Sequence, residues 1–284
     1  MLSYVDGVQL VVPDRRAAAE RWALLFDATV IAEDESAVLG AVRTVVQAGA
    51  SRFEFLEPSG PGRVARFAAS WRQGIYGAVF TTPDLAAMAQ HFDRLRLPYR
   101  EEQGRLLLAE EATHGMPTTV AQDRPRDRVG SVMSFVYEVT NPVTDWRATA
   151  EHYTRIFGLD HWRFSPIRSG LYGYEGTLTL FNPPDRLDRI EITQTWGGGA
   201  MDRFYQRRGA SLYMCYIEVP AVEALASRLE KADLRYEMAS DRPDGTGMFI
   251  HPSALFGMLM GVSRTDFAWT WSGRPDLAGQ AEAH

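Results

Sequence analysis

The chain has 284 residues, 45% of them hydrophobic, which is enough for two domains with real cores and too apolar for a disordered tail. A formal net charge of −6 with no concentrated basic stretch argues against a nucleic-acid partner. The single cysteine, Cys215, excludes an intrachain disulfide and suits a reducing compartment. The opening residues lack the basic and apolar regions of a secretory signal, and the longest apolar run, 254–262, is too short to span a bilayer. The expected protein is cytoplasmic, without membrane contact.

Residues 8–12 read as a strand that Pro13-Asp14 ends. Asp14 is then the N-cap of a helix whose Ala18, Trp22, Leu25 and Phe26 recur at helical spacing. Strands are predicted around 42–47 and 52–56. The second quarter repeats the plan: a strand over 76–82, a helix opened by Pro83-Asp84 with Leu85, Met88, Phe92 and Leu95 inward, and strands near 105–108 and 118–121. The third has a strand at 134–139, a helix over 146–157, and strands at 170–175, 177–181 and 189–194. The fourth has a strand at 212–219, a helix over 222–231, and strands near 248–251 and 258–262.

The reading is an α+β chain of four β-α-β-β-β modules. Residues 123–130, polar and holding Pro125 and Gly130, form the predicted linker. It separates domains over 1–124 and 131–265. Residues 266–284 read as a tail, anchored by Trp269 and Trp271 and otherwise frayed.

The two halves repeat each other. Ser51-Arg52-Phe53-Glu54-Phe55-Leu56 returns as Asp188-Arg189-Ile190-Glu191-Ile192-Thr193, at an offset of 137. The same offset maps Arg66-Phe67 onto Arg203-Phe204, Gly77 onto Met214, Leu85 onto Val222 and Tyr99 onto Tyr236. A register kept without a gap over such a length marks two copies of one unit.

This plan, with Phe53-Glu54-Phe55-Leu56-Glu57-Pro58, Gly74-Ile75-Tyr76-Gly77, Ile190-Glu191-Ile192, Arg207-Arg208-Gly209 and Ile250-His251-Pro252-Ser253, resembles the vicinal oxygen chelate superfamily. That superfamily holds glyoxalase I, methylmalonyl-CoA epimerase, bleomycin-resistance proteins and extradiol dioxygenases. The pattern looks most like epimerase-type modules. The resemblance implies two glyoxalase-like domains, each a cup of mixed β-sheet around a small-molecule site. It also implies metal ligands on the first and last strand of each module, typically His or Gln and then Glu. The corresponding first-strand positions are read as Gly7, Gly77, Ser134 and Met214, and the last-strand ones as Glu54, Thr119, Glu191 and Gly261. One carboxylate per cup does not make a site of three or four ligands, so no metal and no cofactor are expected. Ring cleavage is disfavoured for the same reason.

Acid/base chemistry survives without a metal. Strand alternation places Ser134, Val136 and Glu138 on one face, and Met214, Tyr216 and Glu218 on another, near Glu191. A carboxyl in a partly apolar cup rises in pKa and serves as acid or base near neutral pH. The predicted catalytic residues are Glu191, Tyr216 and Glu138. Ser134, Met214, Tyr172, Tyr174, Trp196 and Glu54 are the predicted substrate contacts. Bland readings stand beside these. Glu54 and Glu191 are fossil ligands each held by an arginine, Glu138 and Glu218 are solvated strand ends, and His114 and His251 share one turn role.

Two function classes remain. One is a metal-independent isomerase, epimerase or lyase acting on a small oxygenated molecule, aromatic or carbonyl-bearing. The other is a binding protein of the bleomycin-resistance type that changes no bond. A small molecule is the expected partner, and a homodimer is left open.

Overall fold

The computed structural model describes residues 1–183, 185–241, 243, 245–264 and 267–278. Its elements begin where the sequence places caps. Asp14 accepts from the Arg16 and Ala17 amides and starts α1 (Arg15–Phe26) after β1 (Val5–Val11). Strands β2 (Thr29–Ser36), β3 (Ala41–Ala48) and β4 (Ser51–Pro58) complete the first module. Helix α2 (Arg63–Trp71) leads into β5 (Gly74–Thr82), and Asp84 caps α3 (Leu85–Arg94). Then come β6 (Arg100–Glu102), β7 (Arg105–Leu108) and β8 (Thr118–Gln122).

The second half follows the same order. It runs through β9 (Phe135–Pro142), the Asp145-capped α4 (Trp146–Phe157), β10 (Ser165–Ser169), β11 (Tyr174–Leu180) and β12 (Arg189–Thr195). It continues with α5 (Ala200–Arg208), β13 (Met214–Val219), α6 (Val222–Lys231), β14 (Tyr236–Met238), β15 (Gly247–Ile250) and β16 (Leu259–Arg264).

Each half builds one eight-stranded sheet, in the orders β2-β3-β4-β1-β5-β8-β7-β6 and β10-β11-β12-β9-β13-β16-β15-β14. The first and last strands of each module pair in parallel, and the two modules of a half join through antiparallel β1–β5 or β9–β13. Modules therefore pair with their sequence neighbours. The architecture is α+β, with two curled sheets in tandem.

Four expectations need correction. Strand β2 was unforeseen, because Thr29–Ser36 is mostly exposed and carries no buried face to read. Helices α2 and α5 were also unforeseen, although their bounds differ by the repeat offset of 137. The predicted strand at 170–175 is a turn over most of its length, with β10 and β11 on either side. The tail is folded where it is described: 3-10 turns at Phe267–Trp271 and Pro275–Leu277 bury Ala268, Trp269 and Ser272. Residues 266 and 279–284 of the predicted tail lie outside the described residues.

The halves share one interior. Trp22 on α1 is fully buried, and its ring lies 4.9 to 6.5 Å from those of Phe26, Phe53, Phe55 and Phe256. Phe80 meets Phe157 and Phe181 across the same seam. Asp188 accepts the Val5 amide at 2.8 Å, and Ser51 accepts the Val136 amide at 2.9 Å. Among the described residues no helix is long and apolar enough to cross a membrane. Trp22→Ala is expected to cost about 3–5 kcal/mol in urea unfolding, because the indole fills a space no neighbour can close. Since the cluster spans both halves, the loss should appear within a single transition.

Candidate active site

The chemistry of the second cup follows from strand register. Thr140 on β9 stands opposite Glu191 on β12, and Glu138 stands opposite Arg189. On the other side of β9, Glu138 faces Tyr216 of β13, and Tyr216 in turn faces Gly261 of β16. Between Glu138 and Val136 the register slips by one, leaving Tyr137 as a bulge residue. The bulge breaks simple alternation. Val136 packs into the shared interior, while Tyr137 joins Met214, Tyr216 and Trp269 on the cup side.

A cavity of about 1080 Å³ opens over this face. Glu138, Glu191, Met214, Tyr216, Tyr172 and Tyr174 line it. Phe249 and the tail residues Phe267 and Trp271 add aromatic wall, and Trp71 reaches in from α2 of the first half.

Beneath the cavity lies a buried charge arrangement. Arg189 is 0% exposed; its Nε donates to Glu138 Oε2 at 2.6 Å, and its Nη1 donates to Ser272 Oγ at 2.7 Å. Its guanidinium carbon sits 4.9 Å from the centre of the Tyr137 ring. Glu138 is 1% exposed and Glu191 5% exposed. Thr140 Oγ1 donates to Glu191 Oε2 at 2.8 Å. Burial lifts the Glu191 carboxyl well above the usual carboxylate range. The negative charge of Glu138 and a hydrogen bond to it lift Glu191 further, against Thr140 and Arg189. The raised pKa favours the neutral form of Glu191, while Arg189 pairs with the neighbouring Glu138. The arrangement offers a carboxylate and a carboxylic acid side by side on one cavity wall.

Six of the nine residues singled out in the sequence line this cavity: Glu138, Glu191, Tyr216, Met214, Tyr172 and Tyr174. Glu138 is not a solvated strand end; it is buried and shares the cup face with Thr140, two residues on. Ser134 lies at the seam between halves, where its amide donates to the Glu218 carbonyl and its carbonyl accepts from Ala50. Trp196 is 37% exposed, with the Arg168 guanidinium 5.5 Å from its ring, outside the cavity lining. Glu54 belongs to the first cup. Arg189, Tyr137 and the tail were not foreseen as site residues. Only the matched Arg52/Arg189 pair in the repeat signalled one of them.

The first cup is shut. Glu54 accepts from Gln9 Nε2 at 2.8 Å and pairs with Arg105 at 2.8 Å and with Arg43 at 3.3 Å. Burial pushes its carboxyl upward, while Arg43 and Gln9 pull it back. The space left among Gln9, Arg43, Glu102 and Arg105 is about 10 Å³, room for no more than one water. Gly7 occupies the register position that Glu138 holds in the second half, opposite Arg52. A Cβ there would meet the Arg52 carbonyl at 1.6 Å, so no second carboxyl fits.

No protein-family model matches the sequence, and neither does any curated protein. Among solved structures, a triple mutant of 4-hydroxymandelate synthase from Streptomyces coelicolor superposes with a TM-score of 0.64 at 14% identity. The match covers 93% of this chain and 92% of the synthase. Methylmalonyl-CoA epimerase from Mycobacterium tuberculosis matches 44% of this chain over 90% of its own, with a TM-score of 0.39 at 16% identity. A Streptomyces coelicolor methylmalonyl-CoA epimerase in complex with 2-nitronate-propionyl-CoA likewise covers 44% of this chain and 100% of its own, with a TM-score of 0.40 at 17% identity. The fold is a vicinal oxygen chelate fold.

That fold implies a metal, and the donors present do not fit one. Strand register assigns the first-strand ligand positions. They are Gln9 and Thr140, not Gly7 and Ser134. In the second cup this leaves Thr140, Glu191, Met214 and Gly261, with the Tyr216 ring laid over Gly261. The neighbouring Glu138 is already committed to Arg189. In the first cup Gln9 and Glu54 bond to each other and to guanidinium groups. Among the described residues no three His, Cys, Asp or Glu side chains gather in a way that could hold a metal ion. Gly261→Ala tests the placement of Tyr216, since the added methyl would stand 2.2 Å from its ring. We expect a stability loss of about 1–3 kcal/mol in urea and a changed near-ultraviolet tyrosine signal.

Proposed function

We propose that this protein is a metal-independent acid/base enzyme of isomerase or lyase type, acting on an oxygenated organic molecule held in the second cup. The observation that carries the reading is the buried carboxyl pair on one cavity wall: Glu138 ion-paired to Arg189, and beside it Glu191, whose pKa burial and Glu138 raise. Glu138 takes a proton from the carbon next to a carbonyl; the C–H electron pair moves onto the carbonyl oxygen. Glu191 stabilises that oxygen by hydrogen bonding, or returns its own proton to a second carbon. Tyr216 adds a phenol to the same wall. Delivery of the Glu191 proton to a second carbon gives an isomer, to the opposite face of the first carbon an epimer, and to a departing β-substituent an elimination product. The two carboxyls then re-equilibrate their proton through the bond between them.

A second reading has its own support. The cavity slightly exceeds the usual 300–1,000 Å³ of ligand sites and carries aromatic side chains along part of its wall, which suits capture of a bulky molecule without chemistry. Proton exchange separates the two. A panel of aryl ketones and α-aryl carboxylic acids, incubated with the protein in deuterium oxide, should show C–H exchange by NMR for at least one bound compound. Glu138→Gln and Glu191→Gln should each lower that exchange by about a hundredfold or more without loss of binding. Bound compounds that never exchange would leave capture as the function.

The proton on Glu191 makes a separate prediction. Its folded value is raised, so between the ordinary carboxylate value and that raised value the folded state holds a proton that the unfolded chain releases. Stability from this group is therefore complete at acid pH and lost as pH rises. Glu191→Gln removes the penalty. It should raise the melting temperature more at pH 8 than at pH 5. An equal change at both would mean that Glu191 is ionised in the fold.

A further inference from the structure

The α2–α5 end of the cavity carries positive charge that no carboxylate among the described residues pairs with at Arg208. Helices α2 and α5 are repeat counterparts, and their C-terminal ends meet there. Phe67 and its counterpart Phe204 both stack on one guanidinium, that of Arg208, at 5.3 and 5.1 Å. The symmetry breaks at the last helical position. The offset of 137 pairs Trp71 with Arg208, so one helix supplies an indole and the other a cation, 4.5 Å apart. Arg207 lies over the other part of the same indole, at 5.7 Å. Trp71, Arg72, Arg207 and Arg208 all line the cavity.

Aromatic rings satisfy the faces of a guanidinium, not its in-plane N–H groups. Arg208 Nε is buried and has no hydrogen-bond partner. Among the described residues no carboxylate pairs with Arg208, and its charged neighbour is another cation, Arg207. Burial and that repulsion push its pKa down to about 10, so it remains charged at neutral pH. The contrast is Arg189, more deeply buried and paired with Glu138. A desolvated, rigidly stacked guanidinium that opens on a ligand-sized space is built for an oxyanion from outside the chain.

We propose that Arg208, with Arg207 and Arg72 beside it, is an anion subsite. The ligand of the second cup is then amphipathic, with a carboxylate or phosphate at the α2–α5 end. Its apolar body runs along Phe204, Tyr213 and Phe249 toward the Glu138–Glu191 pair. This rests on the second cup being the ligand site and not on proton transfer occurring there.

Two fluorescent probes of one scaffold test it: anionic 8-anilinonaphthalene-1-sulfonate and neutral N-phenyl-1-naphthylamine. The unaltered protein should bind the anion at least about tenfold more tightly, and Arg208→Gln should remove about tenfold to a hundredfold of that affinity while changing the neutral probe less than about twofold. Displacement of the anionic probe by 2-naphthoate assigns a carboxylate; stronger displacement by 2-naphthyl phosphate assigns a phosphate. Equal affinities for both probes in the unaltered protein would overturn the subsite even if Arg208→Gln failed to fold. So would equal weakening of both probes in the variant, or displacement by neither acid. Lost proton exchange with the probe preference intact would sink the catalytic reading alone.

Discussion

Arg189 is the constraint around which the second half is arranged. A guanidinium at zero exposure costs several kcal/mol unless its charge is matched and its N–H groups are met. Glu138 matches the charge, Ser272 meets one edge and Tyr137 covers a face. That leaves no cation for Glu191, which lies in the same buried space. The cheapest remaining state for Glu191 is neutral, and its carboxyl is lifted accordingly. The acid and the base thus follow from one shortage of positive charge. Ser272 belongs to the tail, so the same arginine also pins the C-terminal segment over the cup.

The first half shows what happens when the shortage is absent. Glu54, at the register position of Glu191, meets two guanidinium groups and an amide. Arg43 reaches on to Asp34, and Gln103 joins the same cluster. The side chains that balance Glu54 also fill its cup. Charge compensation and occlusion are here one event, and the space falls to about 10 Å³. In the second half, compensation comes from within the strand layer, through Arg189 opposite Glu138, and the volume above stays free. Two copies of one unit part in function according to which residues carry their arginines.

The repeat in the sequence located the middle of each half and failed at both ends. Between β4 and α3 the offset of 137 holds residue for residue, so Glu54 and Glu191 were matched correctly. The opening strands sit at a different offset, since Gln9 corresponds to Thr140, so the repeat gave no check on the first-strand positions read as Gly7 and Ser134. Past β6 the offset changes again. His114-Gly115, with φ of 48° and 89°, corresponds to Phe256-Gly257, with φ of 51° and 88°, and not to His251. Glu138 entered the candidate list through alternation from Ser134, and a bulge at Tyr137 broke that alternation. The bulge was not legible, because it is a property of paired strands, and it took Ser134 and Val136 off the cup face while leaving Glu138 on it. The tail was illegible for a related reason: short 3-10 turns show no periodicity, and their fixing point is Arg189, far away in sequence.

The closed first half is still part of the site. Its α2 carries Trp71 and Arg72 into the lining of the second cavity, and Phe67 and Trp71 stack on Arg208. The backbones come together closely enough that a Cβ at Gly257 would meet the Gln73 carbonyl at 3.0 Å, and one at Gly74 would lie 3.5 Å from an Arg208 nitrogen. That approach depends on the shared interior around Trp22 and Phe256, because Phe256 immediately precedes Gly257. Loosening the seam would therefore move the α2 end of the cavity relative to the carboxyl pair at its floor. The relation between the two ends is set by packing between halves, while each end is set by packing within one. A copy whose own cup is filled thus remains under constraint: it holds one wall of its partner's cavity at a fixed distance from the other.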